Sequence, residues 1–294
     1  MSNGAGGFAL NYAPSANTDE GAFSALGFAD DGQTANTFAD PSWSLWANVQ
    51  GAWLSDSAEG SQVNGTIGLG YKLTPDFVLG GFAGYESFDY DFQEVGGTTL
   101  HSEGDGWTIG AYSGLRLSPT LRLDGMIGWT DLSYDVASSL VSGSYDASRW
   151  TAAGGLTGDY KVGTFTLNPS ASLYVSWENQ DGYTDDASNV HDELDFYTGR
   201  ASFGGKIGKG FMLKDDLVAN PYLAAYGDWR FSGEDALVAN IVDTGIENGW
   251  SGRFGGGLSV ISTSGINASL GAEVGGVGQE TQVWSATGRV GILF

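Results

Sequence analysis

The sequence predicts an all-β fold: a transmembrane antiparallel β-barrel of about twelve strands behind a short N-terminal segment. Apolar and polar residues alternate over long stretches, as expected of strands that face lipid on one side and a lumen on the other. The 294 residues include 48 glycines and 13% aromatic residues, which suits a wall one residue thick better than a thick apolar core. Short turns also alternate with long acidic connections, as in the two rims of a membrane barrel.

Residues 1–41 come first and are polar, rich in Gly, Ala and Asn, and weakly patterned. Thr18 precedes two acidic residues and is typical of a helix start, because its hydroxyl can accept a hydrogen bond from the first turn. Gly21, Gly27 and Gly32 oppose a stable helix, since each costs about 1 kcal/mol relative to Ala inside one. The segment is therefore predicted to be a short helix or an extended tether.

The alternation begins after Pro41, and residues 42–294 are predicted to form the barrel. The first strand has an apolar face made of Trp43, Leu45, Ala47, Val49, Gly51 and Trp53, opposite Ser44, Asn48 and Gln50. Strands are predicted at 42–55, 60–73, 76–92, 103–118, 119–136, 145–162, 164–180, 194–210, 215–232, 246–262, 264–278 and 283–294. An even number of strands lets both ends of the barrel emerge on the same side.

The connections between strands are of two kinds. Tight turns with Pro, Gly or Asp chemistry are predicted at 73–76, 117–120, 162–164 and 262–265. Longer acidic connections are predicted at 93–103, 137–145, 180–193 and 233–245. Because short turns are periplasmic in bacterial outer-membrane barrels, the acidic loops are predicted to be extracellular.

Charge and composition exclude several classes of function. A formal net charge of −23 argues against nucleic-acid binding, which needs a basic surface. The chain has no Cys, so disulfides and thiolate metal sites are excluded, and no cofactor or metal is predicted. No apolar run is long enough for a transmembrane helix. The N-terminus lacks a signal-peptide pattern, so we expect a mature or truncated chain with Met1 added for expression.

Three stretches resemble the β-barrel translocator domain of autotransporters, the proteins of type V secretion. They are the opening Trp43-Ser-Leu-Trp46, the strand–turn–strand unit over 68–85 that recurs over 114–125, and the ending Gly-Arg-Val-Gly-Ile-Leu-Phe over 288–294. The resemblance covers about residues 42–294. It implies a barrel in the Gram-negative outer membrane that is threaded by a segment from its N-terminal side and helps carry a passenger domain to the cell surface.

The resemblance also implies roles and partners. Residues 18–40 would thread the lumen, and no passenger is expected within residues 1–17, which are too few for a domain. The C-terminal signal read by the barrel-assembly machinery would consist of Trp284, Val290, Ile292 and Phe294. The expected partners are outer-membrane lipid, that machinery and the chain's own passenger, without nucleic acid. The barrel would be a monomer with no enzymatic activity.

Charged residues on the polar faces of the strands are predicted to line the lumen. These lumen-facing candidates are Arg116, Arg122, Asp124, Arg149, Glu178, Arg200, Asp228, Arg230, Glu247, Arg253, Glu273 and Arg289. Two interpretations stay open for them. They can pair across the lumen and satisfy one another, or some of them can hold the threading segment.

Two other functions also stay open on sequence alone. The first is a free-standing outer-membrane porin or adhesin, which an open, wet lumen would favour. The second is an outer-membrane hydrolase with an Asp/His site at the extracellular rim, built around His101 and His191, the only two histidines. Convergence of both histidines with acidic side chains would favour the hydrolase, and a plugged lumen would favour the translocator.

Overall fold

Twelve long strands make up the computed structural model, which describes residues 43–55, 58–94, 99–232, 242–243, 248–279 and 281–294. The strands are β1 (Trp43–Ser55), β2 (Ala58–Thr74), β3 (Phe77–Glu94), β4 (Thr99–Ser118), β5 (Leu121–Ala137), β6 (Ser142–Gly158), β7 (Phe165–Gln180), β8 (Leu194–Gly208), β9 (Leu217–Ser232), β10 (Gly249–Ser262), β11 (Ile266–Val277) and β12 (Gln282–Leu293). Shorter strands lie at Tyr160–Val162, Tyr183–Thr184, Val190–His191, Phe211–Lys214 and Val242–Asp243. Across these ranges, no helix has the length and apolarity to cross a membrane.

The strands form one closed antiparallel ring. Each long strand pairs with the next in the chain, and the ring closes where β1 pairs with β12. At this seam the backbone N–H groups of Trp43 and Phe294 each donate to the other residue's carbonyl oxygen, at 3.0 and 2.9 Å. A closed ring leaves no unpaired strand edge in lipid. The predicted fold class, an all-β antiparallel barrel of twelve strands, is confirmed.

The paired ends of the barrel define its lower rim, which carries Trp43 and Phe294. The turns at 75–76, 119–120 and 263–265 lie at this rim and are short, as the sequence predicts. The opposite, upper rim carries the longer connection over 181–193 between β7 and β8. Both ends of the described barrel therefore lie at the rim of short turns.

Two predicted loops at the upper rim are largely strand. β4 begins at Thr99 rather than 103, and β6 begins at Ser142 rather than 145. The prediction was wrong there because the outward side chains beyond the lipid are polar or acidic, so the apolar alternation ends. The ladder continues all the same, since backbone groups pair whatever the side chains are.

The two faces of the wall differ sharply in exposure. Along β1, exposed or partly exposed residues alternate with buried ones over the whole strand. The exposed face is the apolar face predicted from the sequence, and the buried face points into the barrel. The outward face is therefore the lipid-facing one, and the lumen face holds the polar and charged residues.

Aromatic side chains form two outward belts. The upper belt consists of Trp53, Tyr85, Trp107, Trp129, Trp150, Trp177, Tyr197, Trp229, Trp250 and Trp284, most of them side by side in the ladder. The lower belt consists of Trp43, Tyr71, Tyr160, Phe165, Phe211 and Phe294. Ten residues of β1 separate the belts, which for a strand tilted by about 40° spans roughly 25 Å, the height of an outer-membrane apolar band.

Four further aromatic residues do not belong to these belts and lie inside the barrel instead. Trp46, Phe88, Tyr90 and Tyr134 are all buried. Each occupies one of the alternate positions of its strand that point inward. Aromatic character alone does not show to which of the two faces a position belongs. The predicted lumen-threading segment over 18–40 lies outside the described residues.

Candidate functional site

The charged interior of the barrel is the candidate site. Six of the predicted lumen arginines are buried there: Arg122, Arg149, Arg200, Arg230, Arg253 and Arg289. Arg116 is instead at the lower rim, where its side chain is 37% exposed and lies 3.9 Å from the Asp76 carboxylate. Asp124, Glu178, Asp228 and Glu273 are buried in the lumen. Glu247 lies outside the described residues.

Arg253 on β10 has a complete set of partners. Its Nε donates to Asp228 at 2.9 Å, and Nη1 donates to Glu273 at 2.9 Å. The guanidinium carbon also lies 4.3 Å from the centroid of the Tyr226 ring. Asp228 has no exposed surface, so this is a desolvated cluster in which each charge depends on the others.

A second cluster is built around Arg149 on β6. Its guanidinium is paired with Glu86 and lies 3.8 Å from Glu178. Glu178 accepts hydrogen bonds from the Tyr134 hydroxyl at 2.9 Å and from the Gln180 amide at 2.8 Å. Both hydrogen bonds end on the same carboxylate oxygen of Glu178, Oε1, which is therefore satisfied in its buried position.

Glu86 is a buried member of this cluster that the sequence analysis missed. It accepts a hydrogen bond from the Gln62 amide at 3.1 Å, and the Gln62 carbonyl accepts one from the Tyr90 hydroxyl at 3.0 Å. The signal was present in the alternation of β3, since the outward neighbour Tyr85 places Glu86 on the inward face. The Arg149 cluster joins β2, β3, β5, β6 and β7, and the Arg253 cluster joins β9, β10 and β11.

The remaining lumen arginines differ in how well they are partnered. Arg122 donates to Asp124, two residues along the same face of β5, at 2.7 Å. Arg230 donates to the Gln279 side chain at 3.0 Å. Arg200 interacts electrostatically with Asp228, although it lies directly opposite Arg230 in the ladder.

Arg289 at the seam is the exception among the described residues. It is buried, and none of its three guanidinium nitrogens has a hydrogen-bond partner there. Its guanidinium carbon lies 4.9 Å from the centroid of the Trp46 ring. Trp46 donates its indole N–H to the Tyr112 hydroxyl at 2.9 Å. The ring contact supplies attraction but no acceptor for the guanidinium N–H groups.

Two glycines make room for these inner aromatic rings. A Cβ at Gly68 would overlap the indole of Trp46, and a Cβ at Gly80 would overlap the phenol ring of Tyr112. Both rings can therefore lie flat against the neighbouring strand only because these positions have no side chain.

The connection over 181–193 folds back onto the upper end of the barrel. Tyr145 stacks on Tyr183, and Tyr183 stacks on His191, at 5.1 and 4.3 Å between ring centroids. Asp185 accepts several hydrogen bonds, and they lower its pKa to about 2; the largest contribution comes from the Asn189 side chain. Burial, followed by the charge of Asp185, raises the pKa of Tyr183 to about 12.

The two histidines have different partners. His101 on β4 lies 3.0 Å from Asp91 and 3.6 Å from Asp89, on the outward face of β3 and β4. His191 lies 3.2 Å from Asp185 in the folded connection. The convergence that would favour a single Asp/His hydrolase site is therefore not seen among the described contacts.

The residues predicted as the assembly signal lie on the outward face of the barrel. Trp284, Val290, Ile292 and Phe294 are 53%, 56%, 46% and 61% exposed. They form one row from the upper belt to the lower rim along β12. This row is accessible to lipid or to another protein from outside the barrel.

Comparisons with known proteins agree with this architecture. A family model described as the autotransporter beta-domain matches residues 45–273. The structure is similar to the β-domain of the Bordetella autotransporter BrkA, with a TM-score of 0.71, 16% identity, and coverage of 86% of this chain and 100% of that one. The structure is also similar to the translocator domain of NalP from Neisseria meningitidis, with a TM-score of 0.70 and 15% identity. The match covers 98% of this chain and 100% of that one.

The transport unit of AIDA-I from Escherichia coli gives a TM-score of 0.59 at 14% identity, covering 94% of this chain and 98% of that one. At these identities the structural likeness shows the fold alone. No curated protein sequence matches the chain.

Proposed function

We propose that this chain, which belongs to the autotransporter β-domain family, uses its charged lumen to hold its own N-terminal segment during and after passenger export. Membership of the family makes the chain a translocator barrel of the Gram-negative outer membrane with a linked passenger domain. The proposal adds that residues 18–40 thread the lumen. It describes transport without catalysis, since the lumen clusters pair charges rather than aim a nucleophile and base at a common point.

The observation that carries the proposal is the buried charge inside the barrel. Six arginines and several carboxylates face a lumen that would be filled with water if it were empty. The chain enters β1 at the lower rim, directly beside this lumen. A segment of about twenty residues spans roughly 30 Å as a helix and would cross the membrane inside the barrel.

Cysteine accessibility tests this proposal, because the chain has no Cys of its own. We expect Ser24→Cys to be protected from a bulky polyethylene-glycol maleimide in the folded barrel and to react after unfolding. The matched control is Ser264→Cys in an exposed turn, which should react in both states. Equal reaction rates at the two positions in the folded barrel would show that the segment is outside.

Single-channel recording gives an independent test. We expect the complete chain to conduct poorly in planar bilayers and a chain lacking residues 1–40 to conduct several-fold better, because water and ions would refill the lumen. Equal conductance of the two proteins would favour a free-standing porin.

Two further partners belong to the proposal. The outward row of Trp284, Val290, Ile292 and Phe294 offers an apolar strand face to the barrel-assembly machinery. The two aromatic belts offer amphipathic rings to the two lipid–water interfaces. A single ring closed by its own strands supports a monomer.

A further inference from the structure

We propose that His101, Asp89 and Glu103 bind a divalent transition-metal ion of the zinc type on the outward face of the barrel, above the upper aromatic belt, and that Asp91 orients the imidazole. The ion would join β3 to β4 outside the lumen and takes part in no reaction. The inference goes beyond the proposed function and does not rest on it.

The first support is the strand register, which builds a two-by-two array of ligating side chains. In the β3–β4 ladder Asp91 lies directly opposite His101, and Asp89 lies directly opposite Glu103. Residues two apart on a strand point to the same face. All four side chains are therefore outward and lie side by side, and the pairing of the backbone fixes their positions without help from a loop.

The second support is the convergence of the ligand atoms. Asp89, His101 and Glu103 each offer one ligand atom within 4.8 Å of the others. His101 Nε2 lies 3.9 Å from Glu103 Oε2. Ligands bound at about 2 Å in a tetrahedral zinc site lie roughly 3.3 Å apart, so binding requires only small rotations of exposed side chains.

The third support is the hydrogen bond on the other side of the imidazole ring. His101 Nδ1 lies 3.0 Å from Asp91 Oδ1. A histidine that binds a metal commonly donates its second ring N–H to a carboxylate, which fixes the tautomer and the orientation of the ring. With Nδ1–H donating to Asp91, Nε2 presents its lone pair on the side of Glu103.

The fourth support is uncompensated negative charge. Asp89 lies directly opposite Glu103, and Glu103 directly opposite Asp135 in the next ladder. Like charges in this arrangement destabilise a sheet. Among the described residues, His101 is the only basic side chain within ion-pair distance of Asp89, Asp91 or Glu103. A divalent cation would remove the repulsion, as arginines do for the carboxylates of the lumen.

The height of the array makes it accessible from outside. Asp89 and Glu103 are each four residues beyond the upper belt, counted from Tyr85 and Trp107. For strands tilted by about 40° this is roughly 10 Å above the belt, in water or among headgroups. The imidazole selects the class of ion, because Ca²⁺ and Mg²⁺ prefer sites made of oxygen ligands alone.

Calorimetric titration with Zn²⁺ tests the site. The complete folded barrel is purified in detergent without a polyhistidine tag and treated with a chelator beforehand. We expect one ion to bind per chain, and His101→Asn to weaken binding at least about tenfold, since even the loss of an outer partner of a ligand costs that much. Equal Zn²⁺ affinity in His101→Asn and the unmodified chain would overturn the site.

Two matched controls separate this site from the other histidine and from general acidity. His191→Asn should leave Zn²⁺ affinity unchanged. Asp105→Asn removes the next outward carboxylate along β4 and should change the affinity by less than about twofold, because exposed charges are screened by salt. A loss in Asp105→Asn as large as in His101→Asn would show a diffuse negative surface and would overturn the assigned ligands.

The role of Asp91 has its own test. Asp91→Asn keeps an oxygen that accepts from Nδ1–H, so it should retain more of the Zn²⁺ affinity than Asp91→Ala. Equal losses in the two variants would contradict an orienting role.

Thermal unfolding supplies a readout of metal selectivity. Zn²⁺ should raise the temperature at which the folded band is lost on heating, because it binds the folded array, and this rise should be absent in His101→Asn. Mg²⁺ at the same concentration should not reproduce it. An equal rise with Mg²⁺ would show that the imidazole plays no part and would overturn the proposal.

Discussion

Two neighbouring residues of β1 face two different solvents. Val49 is 58% exposed and lies on the lipid face, whereas Asn48 is 2% exposed and lies on the lumen face. On the lipid face a side chain needs only to be apolar and of suitable size. On the lumen face a charge such as that of Arg253 is held by specific partners, in this case Asp228 and Glu273. The lumen face therefore carries the specific interactions, and the lipid face anchors the barrel in the membrane.

The largest effect is expected on the lumen face, at Asp228. Asp228→Ala should lower the free energy of unfolding by about 3–5 kcal/mol, because it leaves the buried Arg253 with one carboxylate instead of two. Asp228→Asn keeps a hydrogen-bond acceptor and should cost less. The free energies of unfolding of both variants can be measured by urea unfolding in lipid vesicles, with Trp fluorescence as the signal. An alanine variant as stable as the unmodified protein would mean that the cluster adds nothing to folding.

The lipid face should respond to charge rather than to shape. Phe203 lies on the outward face of β8, next to the buried Ser202, and is 55% exposed. Phe203→Arg should cost about 2–4 kcal/mol, since it places a charge in hydrocarbon. Phe203→Leu, which stays apolar, should cost less than about 1.5 kcal/mol. The same urea unfolding assay measures the loss of unfolding free energy in both variants. Equal losses in Phe203→Arg and Phe203→Leu would contradict a lipid-facing position of Phe203.

Phe294 is expected to affect assembly more than stability. It is 61% exposed on the outward face, so its removal should cost no more than about 1.5–3 kcal/mol in the finished barrel. Deleting Phe294 should nevertheless reduce the amount of barrel in the outer membrane of cells, while refolding in detergent stays nearly complete. Immunoblots of membrane fractions and heat-modifiability on gels give the two readouts. Equal loss in both would show a purely structural role.

The smallest effect is expected outside the membrane, in the connection over 181–193. The pKa of Asp185 is lowered from 3.8 to about 2, so its stabilising contribution is present above pH 4 and is lost as the pH falls towards 2. The backbone N–H groups of Asn189 and Ala187 donate hydrogen bonds to Asp185. Their hydrogen exchange should therefore lose protection as the pH falls from 4 to 2. In Asp185→Ala, which removes the acceptor, these two amides should exchange rapidly at every pH. Unchanged exchange in the variant would show that another contact holds the connection.

The barrel could be predicted from the sequence because period-two alternation is a local signal. Trp43 and Trp53 mark the outward face of β1 without any knowledge of its neighbours, and the terminal Phe294 continues the same face on β12. Aromatic character alone does not identify the members of the upper belt. Phe88 and Tyr134 are aromatic like Trp107, yet they lie inside the barrel, because they occupy the alternate positions of their strands that point inward.

The pairing of the lumen charges could not be predicted in the same way. The sequence indicates which arginines face inward, but it contains no information on which carboxylate reaches which guanidinium across the lumen. Glu86 joins Arg149 from three strands away in the ring, and Glu86 was missed altogether. Such contacts depend on strand register and on the curvature of the closed wall.

The number of strands, the lipid-facing side of β1 and the short turns at the lower rim follow from the sequence alone, because each depends on neighbours in the chain. The sequence does not reveal that Arg253 has carboxylate partners while Arg289 has no acceptor among the described residues; this depends on the folded barrel. The physical reason is ring closure. It brings β1 against β12, from opposite ends of the barrel sequence, and it fixes the distances over which buried charges can meet.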